Sequence, residues 1–296
     1  MPEKQPTKKQ HYVPQIYLKG FSRDSATIYE YNFAKREAIK KPVRIESVCR
    51  EQFLYEIRDQ SGEIINTNFI EDILCEYEGQ FAEYRRKLLR KSVVKANYNT
   101  LCFLSKDEKI FWIFYTALQI MRSPSMLNGI GSILREELQG QLSQEEAHNV
   151  AVAFCLPFIK KPRSGEMTAL AYFISLLITK ILTVGYAESD NLFTSEHTMY
   201  GVRNSAEGLF TFKKLWFPIS SNCVLLFSEP GESVRIKKNC LIPITEEDVH
   251  EINKGIAYIA RKMVFSKHPF SESDIQLIED ARRERAEDEK VLSDRQ

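Results

Sequence analysis

Three short stretches hold side chains able to do chemistry. The first is His11-Tyr12-Val13-Pro14, placed just after a lysine-rich start. An imidazole titrates near neutral pH and can serve as general acid or base, so His11 is a candidate catalytic residue. The plainer and favoured reading is a helix-entry residue whose ring bonds a nearby carbonyl. The second stretch holds Gln119 and Arg122, one helical turn apart and therefore on one side of their helix. That helix is otherwise apolar, so Arg122 is expected to be at least partly buried and to need a carboxylate, with Glu71, Glu78 and Glu196 as candidates. A guanidinium also matches phosphate or carboxylate in a bidentate way, which makes Gln119 and Arg122 candidate substrate-binding residues. The third is Thr194-Ser195-Glu196-His197. In a strand Ser195 and His197 share a face and Glu196 points away, so these neighbours make no serine relay. Glu196 remains a candidate catalytic carboxylate and Ser195 a candidate substrate contact. The plainer alternative is a strand end with local hydroxyl bonds.

Several chemistries are excluded by what the chain lacks. The histidine after His11 is His148, too distant for a His-Asn-His nuclease. There is no His-Glu-x-x-His, no phosphate-cradling Gly-x-x-x-x-Gly-Lys loop and no Gly-x-Gly-x-x-Gly. The six cysteines include no Cys-x-x-Cys, so neither a compact zinc site nor a redox motif is expected. No metal is assigned, and the residues name no cofactor. The formal net charge of +1 gives no chain-wide case for nucleic acid. A local basic strip, Arg85, Arg86, Lys87, Arg90 and Lys91, offers either favourable charge at a helix C-terminus or an anionic-ligand or nucleic-acid contact. Lys35, Arg36, Lys40 and Lys41 of the hairpin would extend that contact. The polar opening without an apolar stretch predicts a cytoplasmic protein with reduced thiols.

The elements that must position these residues follow from periodicity. Residues 1–10 read as a disordered basic tail and 11–296 as a single large domain. Within it, 11–60 holds the opening motif and a β-hairpin near 26–45. A helical core spans 66–185. Asn68 with Glu71, Ser105 with Glu108, and Ser143 with Glu146 read as capping boxes opening three of its helices. The apolar run Met167–Val184 reads as a buried core helix rather than a membrane span. The period then changes, and 191–238 reads as an antiparallel sheet with strands at 192–195, 209–219, 223–228 and 234–238. Helices close the chain over 245–292. Strands clustered apart from helices, with no βαβ rhythm, predict an α+β fold that is mainly α-helical.

Taken together, these pieces resemble an uncharacterised bacterial family, domain of unknown function 4238. The resemblance rests on His11 to Pro14 with Tyr17, Leu18 and Phe21, then on Glu71 and Glu78. It continues through Gln119, Arg122, Ser123 and Pro124, and through Phe193, Thr194 and Ser195, where Glu196 replaces the usual Asp. Pro218 and Ser220, and then Asn253, Arg261 and Ser266, complete it. The family brings no established activity. The expectation is a polar pocket built from His11, Gln119, Arg122, Ser195 and Glu196. Such a pocket would suit a hydrolase acting on a phosphate-bearing or nucleic-acid substrate. The alternative is a non-catalytic interaction or regulatory module whose polar residues are structural.

Overall fold

The computed structural model describes residues 5–65, 67–158, 167–203, 212–231 and 239–293. Its helices are α1 (Gln15–Leu18), α2 (Phe69–Ser92), α3 (Lys106–Met121), α4 (Pro124–Glu137), α5 (Gln144–Cys155), α6 (Ala169–Ile178), α7 (Glu246–Ile259) and α8 (Glu272–Ser293). Contacts divide the chain into two units: 1–14, 49–83 and 107–179 form the first, and 15–48, 84–106 and 180–296 the second.

The first unit is helical with a small β element at its start. The strand Lys9–His11 pairs antiparallel with Arg50–Gln52, His11 opposite Arg50. The start of the chain is therefore not a featureless tail from residue 5 onward. Gln10 is fully buried, its amide donating to Glu56 and accepting from the Tyr55 N–H. Asn68 holds the stretch as well, accepting from the Thr7 N–H and donating to the Gln5 carbonyl. Its side chain is thus spent on the N-terminal segment, not on the capping box that its spacing from Glu71 suggests. The Ser143–Glu146 box does form, opening α5. On α3 the lack of a polar face leads to burial on several sides: Phe111, Trp112, Ile113 and every residue from Tyr115 to Gln119 are buried. Phe81 of α2 stacks on Tyr115 and meets Trp112 edge-on. At the α4–α5 contact Gly131 sits against Ala147, where an added Cβ would be 3.6 Å from the Ala147 carbonyl oxygen.

The run Met167–Val184 is not one helix. Helix α6 stops at Ile178, the Thr179 hydroxyl bonds the Leu176 carbonyl, and the chain enters a strand at Ile181–Ala187. The β-branched Ile181, Thr183 and Val184 fit a pleated surface better than a helix. Helix α6 is also only half covered, with Tyr172 and Ile178 exposed. Among the described residues no helix is long and apolar enough to cross a membrane.

The second unit holds two five-stranded sheets. One runs Tyr200–Arg203, Phe212–Ser220, Cys223–Ser228, Ile181–Ala187, Leu241–Ile244 in spatial order. Its pairings are antiparallel except the last, where Leu241–Ile244 lies parallel to Ile181–Ala187. The sheet is therefore larger than the 191–238 meander read from the sequence and not wholly antiparallel. The expected strand at 234–238 lies outside the described residues. Every residue of Cys223–Ser228 is buried, as a central strand covered on both faces requires. The hairpin Thr27–Asn32 with Glu37–Ala38 does form, but inside the second sheet: Met263–Ser266 pairs with Thr27–Asn32 and carries Thr194–Ser195 on its other edge. Thr194–Ser195 thus belongs to a different sheet from Tyr200–Arg203, Phe212–Ser220 and Cys223–Ser228. With helices and sheets segregated in this way, the class is α+β.

Candidate functional site

Arg122 stands just past the C-terminal end of α3 and is 1% exposed. A buried guanidinium must place its donors, and three directions are filled. Nη1 donates to Glu78 Oε1 at 2.8 Å, Nη2 to the His11 carbonyl at 2.6 Å and Nε to the Tyr55 hydroxyl at 3.2 Å. The Tyr55 hydroxyl in turn donates to the Arg122 carbonyl at 3.0 Å, supplying a partner that the helix end cannot. One turn back, Gln119 donates to the Tyr12 carbonyl at 3.0 Å. Gln119 and Arg122 therefore grip the opening motif through its main chain. Burial opposes the charge on Arg122, but Tyr55 and Glu78 outweigh it and hold the guanidinium firmly protonated. Burial likewise pushes the Tyr55 hydroxyl up to about 12.

Helix α2 supplies the carboxylates. Glu71, Cys75 and Glu78 recur at four and three residues and share one face. Glu78 is engaged with Arg122, whereas Glu71 Oε2 is buried with no hydrogen-bond partner among the described residues. Burial lifts the Glu71 carboxyl from 4.5 to about 7; Arg122 opposes the rise, and Glu78, Glu56 and Asp72 add to it. Two carboxyls on one helix face are thus driven apart in character, one paired with a cation and the other near its midpoint at neutral pH. The sequence pointed to Glu71 as half of a capping box and as one of three candidate partners for Arg122, and gave no signal at all for Tyr55. Among the described residues no group of three or more His, Cys, Asp or Glu is arranged to hold a metal ion.

His11, Gln119 and Arg122 are brought together in the first unit, although Arg122 meets the His11 carbonyl rather than its ring. Ser195 and Glu196 belong to the second unit and are engaged there. The Ser195 hydroxyl donates to the His197 carbonyl at 2.6 Å and accepts from the His197 N–H. The Glu196 carboxylate accepts the N–H groups of Arg261, Lys262 and Met263, tying down the start of the strand Met263–Ser266. Burial lowers the His197 imidazole, with Glu196 acting against it. The basic strip of α2 is partly drawn inward. Arg85 donates to the Tyr17 carbonyl, Lys87 lies over the Tyr84 ring and Lys91 over the Phe103 ring, while Arg86 and Arg90 are exposed.

These contacts bind the recurrent sequence pieces to one another, and a family model described as a protein of unknown function, DUF4238, matches residues 9–269. The chain belongs to the DUF4238 family. No curated protein and no solved structure matches it. In this DUF4238 chain the family pieces of the first unit meet through Gln119, Arg122 and Glu78 on the main chain of His11 and Tyr12. Those of the second unit meet at Tyr17, whose hydroxyl donates to the Pro218 carbonyl at 2.6 Å and lies 2.8 Å from Thr194 Oγ1. Asn253 joins the same unit, its amide accepting from Phe193 N–H and donating to the Asn191 carbonyl. Most of the signature therefore makes contacts within its own unit, whereas Glu71 Oε2 makes no hydrogen bond among the described residues.

Proposed function

We propose that this protein is a hydrolase whose proton-transferring group is Glu71, acting on a phosphate-bearing substrate. The observation that carries the reading is the pair of unlike carboxyls on α2. Glu71 is raised to about 7 and has an unsatisfied oxygen, while neighbouring Glu78 is held by Arg122. A general acid or base works best when its pKa lies near the operating pH, and burial is the usual way to bring a glutamate there. In this reading Arg122 is a positioning residue. Its three bonds fix Glu78, Tyr55 and the main chain of His11, whose imidazole is proposed as a second proton-handling group. Ser195 and Glu196, the other candidates read from the sequence, act as scaffold in the second unit. The test is hydrolysis of a panel of phosphomonoesters, phosphodiesters and RNA by the wild type and by Glu71→Gln. A rate that titrates near pH 7 and is lost in Glu71→Gln supports the proposal. Equal turnover by both proteins overturns it.

The second reading is a non-catalytic interaction or regulatory module. It is supported by the full engagement of the Arg122, Ser195 and Glu196 side chains within the fold. An intact biological effect in a folded Glu71→Gln variant would favour it.

A further inference from the structure

The first unit also carries a groove of ≈ 940 Å³ outside the Glu71 cluster, lined by the 52–62 segment, α4 and the start of α5. Its size suits a small organic ligand. Phe53 lines it with a half-buried ring and a backbone φ of 52°, a left-handed conformation that costs a bulky residue about 1–2 kcal/mol. The Arg58 guanidinium lies 5.5 Å from the centroid of that ring. Arg135 of α4 lines the groove, is exposed and forms no ion pair among the described residues. Ser143, Gln144 and Glu145 bring in the N-terminus of α5. Its capping box occupies the N–H groups of Ser143 and Glu146, so those of Gln144 and Glu145 remain for an anion.

The acids of the groove already have partners. Glu145 lies 3.6 Å from Arg58 Nε, and Glu56 is buried, accepting from Gln10 and from the Asn68 N–H. Burial also raises the Glu56 carboxyl, which weakens its negative charge. His148 Nε2 is 3.0 Å from the Leu54 carbonyl, and burial keeps the imidazole neutral. Arg135 is therefore the uncompensated charge.

We infer that this groove binds a nucleotide, with the phosphate on Arg135 and the first turn of α5 and the base against Phe53. The groove lies outside the Glu71 cluster, so the inference stands apart from the hydrolase reading. It is tested by calorimetric titration of the full chain with AMP, ATP and inorganic phosphate. Saturable nucleotide binding is expected. Arg135→Glu should weaken it at least about tenfold, and Phe53→Gly, which removes the ring while relieving the strained backbone, about tenfold. The titration reads binding and not turnover, so a failed hydrolase reading leaves this result intact. No saturable binding at millimolar nucleotide would overturn the inference. So would phosphate binding as tightly as AMP, a single-stranded oligonucleotide binding more tightly than either nucleotide, or affinity indifferent to both groove variants.

Discussion

At the scale of the residue, Arg122 and Glu71 make opposite demands. Arg122→Ala would strand Glu78 and leave the His11 carbonyl without its donor. Removing one member of a buried ion pair costs about 3–5 kcal/mol, and urea denaturation should show that loss. Arg122→Lys should recover little of it, because an ammonium cannot serve three fixed directions. Glu71 behaves differently, since its neutral form is the one the fold prefers. With the unfolded value at 4.5 and the folded value at about 7, the native state binds the extra proton between those limits. Its contribution is full below pH 4.5, fades as pH rises through 7 and then stays lost. The difference is roughly 3 kcal/mol. Glu71→Gln, which mimics the neutral acid, should therefore raise the melting temperature at pH 8 and hardly change it at pH 4. A wild-type advantage at pH 8 would refute the buried, unpaired carboxyl. The need of Arg122 for a carboxylate was legible from a charge closing the apolar run 110–121. The choice of Glu78 over Glu71 was not, because that depends on how the segment near Tyr55 packs.

At the scale of the element, the helices with orderly caps were legible and the mixed segments were not. Ser143 and Thr245 cap α5 and α7 as their spacing with Glu146 and Asp248 requires. Asn68 carries the same local signal, yet residues 5–7 outbid the helix for its amide. No window around position 68 contains that information. The apolar run 167–184 misled for a related reason: hydrophobicity alone does not separate a helix from a central strand, and Ile181–Ala187 is the strand between Cys223–Ser228 and Leu241–Ile244. Two substitutions test the packing of the second unit. Tyr17→Phe removes the hydroxyl shared with Pro218 and Thr194 and should cost about 1–2 kcal/mol in chemical denaturation. Gly255→Ala on α7 would place a Cβ 2.6 Å from Tyr200 Cγ, forcing the ring away. A loss of about 1–3 kcal/mol is expected.

At the scale of the whole chain, the thiols report on both units at once. All six cysteines are free; Cys75 and Cys102 are exposed and the other four buried. Native protein should titrate two thiols with a chromogenic disulfide reagent and denatured protein six. Cys75 should react more slowly than a model thiol, because partial burial and the nearby Glu78 and Glu71 raise its pKa. Four reactive thiols in native protein would contradict the packing around Cys155 and Cys223. The order of the family pieces was legible along the whole chain, while their partners were not, since hydrogen bonds such as Tyr17 to Pro218 join residues two hundred positions apart. The grip of Gln119 and Arg122 on positions 11 and 12 has a broader corollary. It engages carbonyl oxygens, which every amino acid carries. The fastening is therefore blind to what hangs from position 11, and scaffold and reactivity are separable there. A chemist can install a fluorinated histidine, a pyridyl analogue or a spectroscopic reporter at that address, and the latch should close on it as it does on the native residue.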